Sequence, residues 1–413
     1  MSFIKNIDIA KEYRVSPTAV NKWLKSAKED KNKLDLITYN SKDYVKDTIS
    51  NRLILEELSQ RSRGFNRREE KTTALVQDEF YKLFDEQQII EIVHQLQNKS
   101  QIPHKYTYFN GGAKFWDNYA KRGFEENIAN TVTNTAEMLE DVTRFITKQF
   151  DRQTKLNVID IGVGNAYPVQ AFLQTLKREN LINRYIALDF SQDILNIAEN
   201  NINNWFNKSI PFKGYIKDIT CDKFHNVLFR ESQGQQANIV NLVLFLGSTI
   251  ENLPDWKGTL SNIVSNLGRN DFLLLGQTLT SKSARLFFDL GVNSENAQIK
   301  HKNDFYADWQ ELMIPNLLGL QLEDYKIETR YDDASDCRIM WLIPDKEIEI
   351  KFNSPSLATT INLNKGEKII IWKHQHHSVD EISTTLAQLG LQLLLATTSK
   401  DQAQVLTISR LKD

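Results

Sequence analysis

The sequence predicts an α/β protein with a doubly wound parallel sheet, preceded by a small helical unit and followed by a further domain. Three observations lead to this prediction. Apolar, β-branched runs alternate with helical patterns over residues 156–276, as in parallel strands joined by crossover helices. Residues 1–70 instead show two short helices and a hairpin. The chain of 413 residues also exceeds what one core usually serves, so several domains are expected.

The composition indicates an ordinary globular protein of the cytoplasm. Hydrophobic residues make up 41% of the chain and charged residues 25%, and the net charge of -2 favours no class of partner. The two cysteines, Cys221 and Cys337, are too few for a disulfide framework or a cysteine-rich metal site, which fits a reducing compartment. Because we find neither a secretion signal nor a long apolar run, we predict no export and no membrane partner.

The amino-terminal head and its linker are predicted to span residues 1–70 and to begin with two helices joined by a tight turn. In "IDIAKEYRVSPTAVNKWLKSAKE", Ser16 is an N-cap hydroxyl and Pro17 takes the first helical position. Apolar side chains give each helix a buried face, with Ile7, Ile9, Ala10 and Tyr13 in the first helix and Val20, Trp23 and Leu24 in the second. The following "LDLITYNSKDYV" alternates around "NSKD" and predicts a small hairpin, or wing.

This head resembles the winged helix-turn-helix units of MerR-type regulators and excisionases. Lys and Arg outnumber Asp and Glu by 16 to 11 over residues 1–71, so the segment is basic. Polar and basic side chains suited to phosphates and base edges occupy the predicted exposed positions of the second helix, namely Thr18, Asn21, Lys22 and Lys25. The resemblance implies binding to duplex DNA. A protein-contact module, or a unit that only packs, is the alternative.

Residues 71–282 are predicted to hold amino-terminal helices and the sheet. An apolar stripe over 72–103 indicates packing helices and consists of Phe80, Leu83, Phe84, Ile89, Ile92 and Val93. The segment "KYTYFNGGAKFWDNY" is expected to be a loop because glycines interrupt it. Its aromatic side chains are candidates for the wall of a pocket: Tyr106, Tyr108, Phe109, Phe115 and Trp116.

The sheet itself is predicted from four apolar runs and the helical patterns between them. "LNVIDIG", "RYIALDF", "NIVNLVLFLG" and "DFLLLGQTL" are expected to be strands. The intervening helices are "YPVQAFLQTLKREN", a segment capped by Ser191, and "WKGTLSNIVSNLG", which we expect to end at Gly268. In such a sheet a ligand binds at the carboxyl ends of the strands.

The residues that follow these strands point to an adenosyl cofactor. Gly162 and Gly164, in "VIDIGVGNAYP", let the backbone pass close to a ligand. Asp189 ends the second strand, where a carboxylate can accept from both ribose hydroxyls. Asp218, in "IKDIT", lies near the end of the next strand along the chain, before "NIVNLVLFLG", where it can accept from an adenine amino group. Pro168 breaks the G-x-G-x-x-G pattern of dinucleotide sites, and the sequence has no Walker lysine.

The series that begins with Asp160, continues through the glycine pair and ends with two acids resembles the S-adenosylmethionine (SAM)-dependent methyltransferases. Four segments narrow this resemblance: "KYTYFNGGAKFW", "LFLGSTIENLP", "NDFLLLGQTL" and "LNKGEKIIIWKHQHHSVDEISTTLAQLGL". They are similar to the histidine-specific SAM-dependent methyltransferase family that includes the ergothioneine-pathway histidine Nα-methyltransferase, over roughly residues 103–413. The alternative is a Rossmann-like domain without this cofactor.

The resemblance implies a Rossmann-like methyltransferase sheet, a substrate-binding domain over 283–375 and a return to the methyltransferase core over 376–413. It implies that SAM is the cofactor, and that Asn252 reaches the amino or carboxylate group of the substrate. The cofactor contacts predicted from the motif and the resemblance together are Tyr108, Asp160, Gly162, Gly164, Asp189 and Asp218.

Two positions depart from the family where its members hold the imidazole of histidine. The family has a carboxylate and a hydroxyl there, and this sequence has Trp372 and His374. We therefore predict N-methylation of an amino acid or amino-acid-like amine, possibly within a peptide, rather than of free histidine. The alternative is a DNA-binding regulator that senses SAM or another metabolite with little or no catalysis. "HQHH" is not accompanied by a ligand set, so we predict no metal site.

Overall fold

The computed structural model describes residues 3–29, 33–39, 42–64, 71–126, 131–151, 153–233, 238–247, 249–287, 306–353 and 357–412. The chain divides into two compact units, Met1–Lys71 and Thr72–Asp413. Within the described ranges, every helix is too short or too polar to cross a membrane.

The amino-terminal unit combines three helices with a three-stranded antiparallel sheet. Its elements are β1 (Phe3–Ile4), α1 (Asn6–Glu12), α2 (Pro17–Lys28), β2 (Leu36–Tyr39), β3 (Lys42–Lys46) and α3 (Ile49–Gly64). The strands lie in the order β1-β3-β2, and β2 and β3 form the predicted hairpin. The predicted cap is confirmed, because Ser16 Oγ accepts from Ala19 N at 3.2 Å. The core of this unit is centred on Ile9, Val20, Val45 and Leu55.

One residue of the predicted buried face lies on the other side of its helix. Ile7 is 59% exposed, whereas Ile9 is fully buried. Residues two positions apart on an α-helix point about 200° apart, so a short helix cannot bury both. The predicted face is therefore correct for Ile9, Ala10 and Tyr13 and wrong for Ile7.

The second unit begins with β4 (Thr72–Leu75), α4 (Asp78–Leu83), α5 (Glu86–Lys99), α6 (Gly112–Glu125) and α7 (Thr131–Gln149). It continues with β5 (Thr154–Ile161), α8 (Gln170–Arg178), β6 (Ile182–Asp189), α9 (Gln192–Phe206), β7 (Phe212–Ile216), α10 (His225–Ser232), β8 (Asn238–Phe245), α11 (Trp256–Val264) and β9 (Phe272–Thr278). The remaining elements are α12 (Lys282–Phe287), α13 (Tyr306–Leu317), β10 (Tyr325–Asp332), β11 (Cys337–Pro344), β12 (Ile348–Asn353), β13 (Ala358–Leu363), β14 (Ile369–Gln375), α14 (Val379–Gln388), β15 (Leu391–Thr398) and β16 (Gln404–Leu411).

The predicted doubly wound sheet is confirmed, with two antiparallel strands at one edge. Its seven strands lie in the order β15-β16-β9-β8-β5-β6-β7, and the five from β9 to β7 are parallel. Alternate side chains of β5 enter the two cores on either side of the sheet. Val158 packs with residues of α7, α8 and α9, while Ile159 packs with residues of α10, α11 and α14. Because β8, β5 and β6 are neighbouring strands near the middle of the sheet, their carboxyl ends lie side by side.

A third core combines segments that precede β5 in the sequence with segments that follow β9. β4 pairs in parallel with β12, which places residues 72–75 in the β13-β12-β4 sheet. A second small sheet has the order β10-β11-β14. Side chains of α4, α5 and α13 pack with these strands, including Phe80, Ile92, Ile314, Ile350 and Ile371.

Two predicted boundaries were wrong. "KYTYFNGGAKFWDNY" is not a loop throughout, because His104–Tyr108 forms a 3-10 helix and Gly112–Glu125 forms α6. The glycines mark the entry to this helix: Gly111 has a φ of 86°, and a Cβ on Gly112 would stand 1.7 Å from Thr107 O. Helix α11 ends at Val264, four residues before Gly268.

Candidate active site

A cavity of about 820 Å³ lies at the carboxyl ends of the parallel strands. All nine residues predicted to hold cofactor or substrate line it: Tyr108, Asp160, Gly162, Gly164, Asp189, Asp218, Asn252, Trp372 and His374. Tyr108 precedes the seven-stranded sheet in the sequence, whereas Trp372 and His374 lie on β14. The fold therefore gathers the predicted site residues around one space.

The glycine turn after β5 has a backbone that other residues rarely adopt. The φ angles are 64° at Gly162 and 55° at Gly164. A Cβ on Gly162 would stand 3.0 Å from Thr249 Cγ2, and one on Gly164 would stand 3.1 Å from Trp116 Nε1. The backbone conformation therefore favours glycine at both positions, and an added Cβ would press on the side chain of Thr249 or Trp116.

Two carboxyl groups beside the glycine turn resist ionisation. Asp189 Oδ1 accepts from Ser191 N at 2.9 Å, yet desolvation at the cavity wall raises the pKa of Asp189 to about 7. Asp160 is buried and accepts a hydrogen bond from Tyr185 Oη. Burial also raises the pKa of Asp160 to about 7, and the Tyr185 hydrogen bond opposes that rise.

Asp218 is held in its ionised form. Its Oδ1 accepts from Thr220 N at 3.0 Å and from Thr220 Oγ1 at 2.5 Å, and its Oδ2 accepts from Lys105 Nζ at 2.8 Å. Burial disfavours the charge, but the hydrogen bonds from Lys105 and Thr220 outweigh it and lower the pKa of Asp218.

Elsewhere on the cavity wall, His374 links two further side chains. Its Nδ1 lies 3.3 Å from Asn252 Oδ1, and its Nε2 lies 3.1 Å from Thr278 Oγ1. Burial lowers the pKa of His374 well below its usual range, so the ring is neutral. Since Asn252 Oδ1 can only accept, Nδ1 carries the hydrogen and Nε2 accepts from the Thr278 hydroxyl. The ring of Trp372 stacks on His374 with centroids 5.6 Å apart.

Several polar residues of the cavity wall were not predicted from the sequence, namely His104, Lys105, Gln310, Glu311 and Arg338. His104 Nδ1 lies 3.5 Å from Glu311 Oε1, and burial lowers the pKa of His104 to about 4. Lys105 stands within the aromatic motif, so its position beside Tyr106 was an available signal. Gln310 and Glu311 lie on α13 and Arg338 on β11, where the sequence carries no local motif.

The predicted DNA-contacting residues belong to the amino-terminal unit. Thr18, Asn21, Lys22 and Lys25 are all exposed on α2. Asn21 Oδ1 accepts a hydrogen bond from Asn6 Nδ2 at 3.0 Å. Across the described ranges, the acidic, cysteine and histidine side chains form no cluster of three or more suited to a metal ion.

Comparison with known proteins identifies the family to which the chain is similar. The model of the family described as histidine-specific, SAM-dependent methyltransferases matches residues 85–410. No curated protein sequence matches the chain. Among solved structures, the chain is similar to magnesium protoporphyrin IX methyltransferase from Synechocystis PCC 6803 with bound SAH, at 9% identity and a TM-score of 0.40 over 75% of this chain and 98% of that one. It is also similar to the glycopeptide N-methyltransferase MtfA complexed with SAM, at 11% identity and a TM-score of 0.33 over 69% and 96% of the two chains.

Proposed function

Since this chain belongs to the histidine-specific, SAM-dependent methyltransferase family, we propose that it methylates the amino nitrogen of an amino acid or amino-acid-like compound, free or carried in a peptide, rather than free histidine. The enzyme is a SAM-dependent methyltransferase, and only its acceptor is at issue. The observation that carries the proposal is the stacked pair of Trp372 and His374 on the cavity wall, with both ring nitrogens of His374 engaged.

The opposite part of the cavity fits the cofactor. The glycine turn avoids the side chains that would crowd Thr249 and Trp116, and Asp189 and Asp218 offer acceptors for ribose hydroxyls and an adenine amino group. SAM supplies a methyl group on a sulfonium, which is already a good leaving group. The protein therefore has to align the acceptor nitrogen and leave its lone pair unprotonated.

The acceptor end offers little to an imidazole. An imidazole needs one hydrogen-bond acceptor and one donor from its pocket. His374 uses both ring nitrogens within the protein, and Trp372 has a single polar group, which only donates. The indole instead presents a flat face, which favours stacking with an aromatic or apolar side group. A pocket without partners for a polar substrate can discriminate against that substrate by several orders of magnitude.

Asn252 and Tyr108 are the candidate groups for orienting the acceptor. Asn252 directs its amide oxygen to His374, which leaves its amide nitrogen to donate a hydrogen bond to an oxygen of the methyl-accepting substrate. Burial raises the pKa of Tyr108 far above neutral, so the phenol keeps its proton. Its oxygen can accept a hydrogen bond from an amine and so orient the nitrogen without removing the proton itself.

A competition assay tests the acceptor class. The enzyme is given SAM and an equimolar mixture of free amino acids and short peptides, and methylated products are identified by mass. We expect an amine other than free histidine to have the highest kcat/KM. Trp372→Glu with His374→Ser restores the family's carboxylate and hydroxyl, so this variant should gain activity on histidine relative to the wild type. If histidine has the highest kcat/KM with the wild-type enzyme, the proposal is wrong.

For the amino-terminal unit, we propose a winged helix-turn-helix head that binds duplex DNA through α2. Three features support this: the Ser16 cap that starts α2, the β2–β3 hairpin, and the polar exposed surface that includes Lys22 and Lys25. Phosphate contacts release counterions, so binding should weaken as the salt concentration rises.

A gel-shift assay on the full chain tests the head. Lys22→Glu with Lys25→Glu should abolish the shift, while Lys5→Glu with Lys11→Glu, an equal charge change on and before α1, should retain most of it. A shift that persists in the α2 variant would exclude α2 as the reading helix. Absence of any shift at low salt would make the head a protein-contact module. Adding SAM to the assay tests the second candidate function, a DNA-binding regulator that senses its cofactor.

A further inference from the structure

We propose that Lys105 is a cofactor-positioning residue, whose ammonium holds the carboxylate of Asp218 in place for the adenine amino group and separates it from Glu91. The inference rests on the cofactor of this enzyme and is independent of which acceptor it methylates. It assigns a role to a cavity residue outside the predicted cofactor set.

The ammonium of Lys105 lies between two carboxylates on the cavity wall. Its Nζ is 2.8 Å from Asp218 Oδ2 and 2.9 Å from Glu91 Oε2, and all three residues line the cavity. The same nitrogen stands 5.1 Å from the ring centroid of Phe190, the residue after Asp189, and 5.2 Å from that of Tyr106. Both distances are within the range of a cation–π contact. Lys105 is thus fixed by two ion pairs and two aromatic faces.

The hydrogen bonds of Asp218 indicate where adenine would bind. Each carboxylate oxygen can accept about two hydrogen bonds. Oδ1 already accepts two, both from Thr220, whereas Oδ2 accepts one, from Lys105. The remaining acceptor position is therefore on Oδ2, directly beside the ammonium. An adenine amino group that donates there would share this oxygen with Lys105.

Lys105 also balances the negative charges of Asp218 and Glu91. Two oxygens that contact the same Nζ lie no further apart than the sum of the two contacts, 5.7 Å. Without the ammonium, the like charges of the Asp218 and Glu91 carboxylates would repel each other at this short distance. A displaced Asp218 is a poorer acceptor for adenine. Glu91 is held in turn by Tyr106, whose hydroxyl donates to Glu91 Oε2 at 2.7 Å.

The test compares two ligands that differ at the 6-position of the purine. Titration calorimetry on the full chain measures the affinity of S-adenosylhomocysteine (SAH), the demethylated cofactor, and of S-inosylhomocysteine, which has a carbonyl in place of the amino group. Wild-type protein should prefer SAH. Lys105→Met should weaken SAH binding at least tenfold, change binding of the inosine ligand by less than about threefold, and so remove the preference. Lys105→Arg should retain much of the preference because it keeps the charge.

Two further variants separate positioning from a general loss of structure. Lys121→Met removes an exposed lysine that pairs with Glu125 on α6, and it should bind both ligands like the wild type. Glu91→Gln added to Lys105→Met removes the like charge and should recover part of the SAH affinity. An equal loss of affinity for both ligands in Lys105→Met, or an unchanged preference, would overturn the proposal.

Discussion

At the proposed cofactor end of the cavity the predicted polar groups are carboxylates near the ends of neighbouring parallel strands. At the acceptor end they are neutral side chains brought from segments far apart: Asn252 and His374 are 122 positions apart, and Thr278 and His374 are 96 apart. The cofactor end follows directly from the strand order, because each acid sits where a strand stops. The acceptor end depends on how β14 packs beside the sheet. A change of acceptor can therefore arise at Trp372 and His374 without disturbing the cofactor end.

The largest expected effect is at Asp189. Asp189→Ala removes the acceptor for the ribose hydroxyls and should weaken SAH binding by roughly 100-fold, or about 3 kcal/mol. His374→Ala, the matched change at the acceptor end, should leave SAH affinity within about twofold. Calorimetry checks both. Similar losses in the two variants would show that the two ends of the cavity are not separable.

The glycine turn should give the next largest effect. Gly164→Ala forces a left-handed backbone on alanine and places its Cβ against Trp116, so SAH affinity should fall about tenfold. Gly366→Ala is the control, because Gly366 has a φ of 78° and no neighbour within 4 Å of an added Cβ. That variant should lose only about 1 kcal/mol of unfolding free energy and bind SAH normally. Normal SAH binding by Gly164→Ala would mean that the turn has room to relax.

The affinity for SAH should depend on pH at the cofactor end. Desolvation raises the pKa of Asp189 to about 7, and a ribose-binding acceptor pair requires the ionised form. SAH affinity should therefore fall as the pH drops from 8 to 6, by at most about tenfold per pH unit for this group. The slope should disappear in Asp189→Asn. If the pH dependence persists in that variant, a group other than Asp189 is responsible for it, and Asp160 is the first candidate.

A smaller effect is expected in stability, at a carboxyl group next to Asn252. Glu251 is fully buried, and desolvation raises its pKa to about 8. An acid whose folded pKa is raised binds more protons in the native state, so its contribution to stability is lost as the pH rises through that value. The free energy of unfolding should therefore decline from about pH 4.5, the ordinary pKa of a glutamate, up to about pH 8. Glu251→Gln should reduce that decline, and chemical denaturation at several pH values measures it. An identical decline in both proteins would contradict the assignment to Glu251.

By itself the sequence determined the sheet, the glycine turn and the capped helix α2, because each depends on residues close together in the chain. Ser16 caps α2 by accepting from Ala19 N, three residues away, and Gly162 and Gly164 come directly after the strand before them. The same local signals led to Asp189 and Asp218, since strands that alternate with helices end at one edge of the sheet.

Only the tertiary structure decided which side chains share partners across long separations. Lys105 meets Asp218 from 113 positions away, and His374 on β14 contacts Asn252 in the 3-10 helix Ile250–Asn252. His104 and Glu311 come together through the packing of α13 against the 3-10 helix at His104–Tyr108. A local pattern predicts that a side chain is buried or exposed, but it contains no information about which distant group it will face. That choice is made when the separate segments pack, because the partner's position depends on every element between them.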